Sequence, residues 1–141
     1  MKLLKQFNDY SCGLFAIYFL LNINGCKVFY DDLLDYLQPS SEEGTSHVNI
    51  EKLISFVGKK FISQDNSNLK TLKENLPAII NYQYCDNEEW DGHYSVIIGI
   101  VKKSFIIYNP ATGEIELLSF EELEKTWFSE RYGKGWFLKI I

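Results

Sequence analysis

The chain has 141 residues, of which 46% are hydrophobic and 23% charged, with a formal net charge of −5. That balance fits one globular domain over residues 1–141, able to bury about two thirds of its unfolded surface. It argues against a nucleic-acid binder, since Lys102-Lys103 is the only prominent lysine pair, and against a disulfide scaffold, since Cys12, Cys26 and Cys85 are odd in number and widely spaced.

Met1 to Lys5 is basic and Leu14 to Leu21 is apolar, the order of a signal peptide. However, Gln6, Asn8 and Asp9 interrupt it, and Asn22 and Asn24 follow without a small-residue cleavage site. The apolar run is too short to cross a bilayer. It is expected to be a core helix from Cys12 to about Ile23, apolar all round and hence buried all round, ended by Asn24-Gly25. No membrane insertion follows, and the unpaired cysteines point to a reducing, cytoplasmic compartment.

Tyr30 to Leu37 reads as a short amphipathic helix with Leu33, Leu34 and Leu37 on one face. Pro39 and Ser40-Ser41-Glu42-Glu43-Gly44 form a loop. Val48 to Val57 has Ile50, Leu53, Ile54 and Val57 at helical spacing, with Gly58 beyond. Leu69, Leu72 and Leu76 suggest a fourth helix stopped by Pro77. The period then switches to two. Ile80, Tyr82 and Tyr84 alternate with polar residues, and His93 to Val101 begins a second strand after the turn-like Asn87 to Gly92. Ser104 to Tyr108 pairs with it across Lys102-Lys103, and Glu114 to Leu118 follows Thr112-Gly113. Ser119 and Glu122 have capping-box spacing and open a helix to about Trp127; Trp136 to Ile141 is a last strand. Helices first and strands after give an α+β fold, one buried helix packed on an antiparallel sheet with smaller helices around it.

Chemistry concentrates at few positions. Cys12 stands where a polar segment becomes the buried helix, and helix N-terminal N–H groups favour a thiolate. Gly13 follows, with no side chain to block a substrate backbone. His93, at the mouth of a strand, is a candidate base for Cys12. The other histidine, His47, is expected to be solvated. Asn109, at the end of the paired strand, can accept from the imidazole and fix its tautomer, although Asn109-Pro110 also suits a turn. The Gln6 amide with the Cys12 backbone N–H can form an oxyanion hole. Trp90 and Tyr94 flank His93 as cleft walls or as core.

The segment Gln6-Phe7-Asn8-Asp9-Tyr10-Ser11-Cys12-Gly13-Leu14-Phe15-Ala16-Ile17 resembles the catalytic start of the bacteriocin-processing, double-glycine leader peptidases. These are papain-like cysteine peptidases, usually fused to a peptide-exporting transporter. The family has a Gln six residues before a Cys-Gly, then a His-Tyr opening a strand, and an Asp-Pro-Ala-x-Gly some sixteen residues later. His93-Tyr94 and Asn109-Pro110-Ala111-Thr112-Gly113 match in order and spacing. Gly44-Thr45-Ser46, Phe120 and Trp127 also resemble the family. The departures are Ser11 in place of an acid and Asn109 in place of the usual Asp. No transporter segment accompanies these residues, so an exporter is expected as a separate partner.

The resemblance implies a papain-like peptidase fold and a peptide or protein substrate. It also implies roles: Cys12 as nucleophile, His93 as base then acid, Asn109 as orienter and Gln6 as oxyanion donor. No cofactor or metal is required. Glutamine deamidation, transglutamination or isopeptide cleavage would use the same acyl-enzyme. A degenerate peptide-binding relative and a metal site from Cys85 and His93 are the remaining alternatives. The latter lacks a second closely spaced ligand pair.

Overall fold

A computed structural model of the chain describes residues 3–8, 10–40, 44–86, 88–130 and 133–141, Asp86 by its backbone alone. Met1, Lys2, Asp9, the expected loop at 41–43 and Asn87 of the expected turn lie outside the described residues.

The apolar run forms helix α1, Cys12–Ile23, as its composition requires. Leu14, Ala16, Ile17, Leu20 and Leu21 have no solvent exposure. Each such Leu or Ile contributes about 1.5–3 kcal/mol through burial. Helix α2, Tyr30–Leu37, inserts Leu33 and Leu37 beside it, and α3, His47–Phe56, adds Ile50, Leu53 and Ile54. Ser46 caps α3 by accepting from the Asn49 N–H at 3.1 Å, so the helix opens one residue earlier than its apolar spacing suggests. Helix α4, Leu69–Lys73, stops short of Leu76, and α5, Phe120–Thr126, starts at Ser119, whose hydroxyl accepts from the Glu122 N–H.

The sheet has six antiparallel strands in the order β1-β8-β2-β3-β4-β5. Their ranges are Phe61–Gln64 for β1, Ala78–Asp86 for β2, Glu89–Val101 for β3, Ser104–Asn109 for β4, Glu114–Ser119 for β5 and Phe137–Ile140 for β8. The short strands β6, Phe128–Ser129, and β7, Gly133–Lys134, pair separately. Strand β1 has no clear sequence signal; its four residues are extended because β8 pairs with them. Lys102-Lys103 is the two-residue turn between β3 and β4, with Lys102 left-handed at φ 54°. Strand β3 starts at Glu89, four positions earlier than expected, so His93 lies within the strand rather than at its mouth.

Strand alternation sends neighbours to opposite faces. Ile79, Val96, Tyr108 and Leu138 join the α1–α3 core, whereas Ile80, Ile97, Ile107 and Phe137 join a second core with Leu72 of α4, Leu123 of α5 and Trp127. The centre of the sheet is therefore buried on both sides, and the small helices are what cover the second side.

Candidate active site

The β3–β4 ladder ends at the Val96–Tyr108 pair, while β3 runs on to Glu89 without β4 beside it. The first residue of α1 meets β3 beyond that point. The backbone N–H groups of Tyr94, Gly13 and Cys12 itself lie near enough to the Cys12 thiol to favour its thiolate. Residue Cys12 is 7% exposed. Burial pushes its thiol up to about 11, outweighing those three N–H donors, and the negative charge of Asp91 adds slightly to the rise. The N–H groups at the start of α1 do lower the thiol pKa, but desolvation is the larger effect and reverses the expected shift.

His93 is buried, and its Nε2–H donates to Asn109 Oδ1 at 2.8 Å. The ring stacks on Tyr84 at 4.4 Å and meets Tyr82 edge-on at 5.8 Å. Asn109, 1% exposed, ends β4 and opens the following turn, whose Thr112 and Gly113 N–H groups return to its carbonyl. Its Oδ1 also accepts from the Ala111 N–H at 2.9 Å, and its Nδ2 donates to Glu116 Oε1 at 3.1 Å. One side of the amide thus faces a donor and the other an acceptor. That fixes which end is oxygen, and hence that Nε2 of His93 carries the hydrogen in the neutral ring.

The N-terminal segment lies over this turn. Gln6 N–H donates to Pro110 O at 2.8 Å, the Tyr108 hydroxyl donates to Leu4 O, and a Cβ on Gly113 would come within 2.9 Å of Lys5. Gln6 is thereby held beside the Asn109 turn. Its Nε2 donates to Asn8 O at 2.8 Å, and its Oε1 is buried without a partner.

The remaining expected site residues fare differently. A Cβ on Gly13 would lie 2.6 Å from Thr45 Cβ and 3.0 Å from Tyr94 Cδ2, so the missing side chain makes room for the protein's own core. Tyr94 is not a cleft wall: its ring is buried, and its hydroxyl donates to Thr45 O at 2.8 Å. Trp90 is 62% exposed. Register pairs Trp90 with Cys85 and His93 with Tyr82, which puts both Trp90 and Cys85 on the face opposite His93. That placement removes the basis for a Cys85–His93 metal pair. His47 is not solvated: it stacks on Trp136 at 3.6 Å, and burial lowers its pKa to about 4. Sequence reasoning missed Tyr82, Tyr84 and Glu116 as neighbours of the His–Asn pair. Their alternation was visible, but the register that aligns them was not.

Solved structures share this fold. A double-glycine-motif protease from an AMS/PCAT transporter, in complex with the leader peptide, superposes with a TM-score of 0.79 at 19% identity, covering 98% of this chain and 89% of that one. The peptidase domain of Streptococcus ComA, a bifunctional ABC transporter of a quorum-sensing pathway, gives 0.77 at 18% identity, with 99% and 96% covered. A C39-like peptidase from Bacillus anthracis gives 0.77 at 15% identity, with 99% and 93% covered. No curated protein gives a significant sequence match. The α+β fold is that of the papain-like cysteine peptidases. Within that class the chain belongs to the Peptidase C39 family, whose model matches residues 1–130, and it is a cysteine-type peptidase.

Proposed function

We propose that the chain cleaves a peptide bond, as in a leader peptide, through a Cys12–His93–Asn109 triad and a covalent thioester. The carrying observation is the buried 2.8 Å bond from His93 Nε2 to Asn109 Oδ1, on the strand whose next residue, Tyr94, packs against the start of α1 at Gly13. With Nε2–H committed to Asn109, Nδ1 is the basic nitrogen of the neutral ring. It takes the thiol proton as the sulfur attacks the scissile carbonyl and the C–S bond forms. An ion pair with the imidazolium, in a site closed by substrate, offsets the desolvation that holds the free thiol protonated.

The oxyanion receives the Cys12 N–H and an amide hydrogen of Gln6, whose other hydrogen stays on Asn8 O. His93 returns the proton to the departing amine. Water then adds to the thioester, with His93 as base, and the acid product leaves. The exposed Trp90 offers an apolar contact to the peptide; Gly13 and Tyr94 act by holding Cys12 against β3.

One matched structure is a protease from an AMS/PCAT transporter and another is the peptidase domain of an ABC transporter, which supports a peptide exporter as partner. The cysteines are free, which supports the cytoplasm as the compartment. Among the described residues no helix is long and apolar enough to cross a membrane.

The test is Cys12→Ala in a peptide-cleavage assay read by mass spectrometry. Turnover falls at least about 1,000-fold while the folded spectrum is kept, because removal of a nucleophile abolishes the covalent route. A new peptide N-terminus marks hydrolysis, and released ammonia would mark deamidation instead. Undiminished cleavage by the variant refutes the nucleophile assignment.

A further inference from the structure

Asn109 is neutral, yet a carboxylate lies directly behind it. Its Nδ2–H donates to Glu116 Oε1 at 3.1 Å, and the Thr112 hydroxyl donates to Glu116 Oε2 at 2.5 Å. Both oxygens of one carboxylate are thus engaged by the turn that carries Asn109. Register explains the meeting. Asn109 pairs with Glu114 and Ile107 with Glu116, so Glu116 is the same-face diagonal neighbour of Asn109 across β4 and β5. Glu116 is half-buried and Asn109 fully so, which limits solvent screening along the contact.

We propose that Glu116 is a positioning residue of the catalytic site, a fourth member that acts on His93 through Asn109. Two effects follow from the geometry. The carboxylate is an acceptor only, so it holds the amide nitrogen towards itself and the amide oxygen towards the imidazole. Its charge also polarises the amide and favours the imidazolium that forms when Cys12 gives up its proton. The charge that Asn109 lacks is supplied one side chain further out. Thr112 fixes the second carboxylate oxygen and so keeps Glu116 from turning to solvent.

The inference rests on the triad proposed above, so its test reads His93 without needing turnover. The imidazole of His93 is titrated by nitrogen-detected NMR in the wild-type chain, in Glu116→Gln, in Glu116→Ala and in Glu124→Gln, an exposed control on α5. Glu116→Gln keeps the shape and removes the charge. A neighbouring negative charge favours the protonated ring, so its loss lowers the His93 pKa, by about half a pH unit or more. Glu116→Ala lowers it at least as far and also lowers kcat/KM, by about 10-fold, because the amide is no longer held from behind. The acid limb of the kcat/KM profile, where the base becomes protonated, moves to lower pH in both.

An unchanged His93 titration in Glu116→Gln, or an equal shift in Glu124→Gln, overturns the proposal. The first outcome removes the charge role, and the second reduces it to net charge. If Cys12→Ala keeps activity while the Glu116 variants shift His93, the triad reading fails and the Glu116–Asn109–His93 linkage stands.

Discussion

Replacing Gly13 by Ala separates two accounts of why glycine follows the nucleophile. If glycine is there to admit a substrate backbone, the added methyl raises KM, and stability rises slightly, since Ala is a better helix residue by about 0.5–1 kcal/mol. The structure says otherwise. The new Cβ would sit 2.6 Å from Thr45 Cβ and 3.0 Å from both Thr45 Oγ1 and Tyr94 Cδ2. Thr45 is 3% exposed and β-branched, and its carbonyl accepts the Tyr94 hydroxyl at 2.8 Å, so neither neighbour can yield alone. A 2.6 Å contact with buried neighbours puts the overpacking cost in the upper part of the usual range, about 2–3 kcal/mol, leaving a net loss of about 1–2.5 kcal/mol after the helix gain. The midpoint of thermal unfolding drops by about 3–10 °C accordingly. Relief comes from α1 moving off β3, which draws Cys12 away from the Tyr94 N–H. Activity therefore falls by about 10-fold or more, mainly in kcat. Urea unfolding and steady-state kinetics on the same preparation decide it. Unchanged or increased stability, with the whole effect in KM, would refute the packing argument.

The remaining predictions concern the two histidines. His47 has a folded pKa of about 4 against 6.5 when unfolded, so below pH 6.5 the unfolded chain binds the extra proton. Stability is therefore complete above about pH 6.5 and is lost as pH falls towards 4, by about 1–3 kcal/mol. His47→Phe keeps a ring against Trp136 and shows a flatter stability curve over that window; a parallel curve in urea titrations counts against it. Tyr84→Ala removes the ring stacked on His93 and lowers kcat/KM by about 3–10-fold, with under about 1 kcal/mol lost in stability because Tyr84 is partly exposed. Kinetics indistinguishable from wild type would show that the stack does not hold the base.

Short-range order was legible before any coordinates. Helices α1 and α2 coincide with the ends expected from composition and turn residues, and the Ser119–Glu122 cap and the Lys102-Lys103 turn lie where their chemistry puts them. Such features depend on residues a few positions apart. Local context also singles out Cys12 at a helix start and Asn109 at a strand end, where the structure has them; His93 is expected at a strand mouth but lies inside β3.

What the letters could not carry was everything that depends on distant segments meeting. Strand β1 is extended only because β8 reaches it, and His93 lies inside β3 because β2 pairs as far as Glu89. The β2 register sets Tyr82 against His93 and leaves Tyr84 to stack on its ring, and the β5 register brings Glu116 behind Asn109. Burial reversed two expectations: it made His47 a core residue and raised the Cys12 thiol. Sequence by itself determined which residue types stand at the ends of which elements. The tertiary structure decided which of them share a face and how much water reaches each, because desolvation and cross-strand contact are properties of the assembled sheet rather than of any segment.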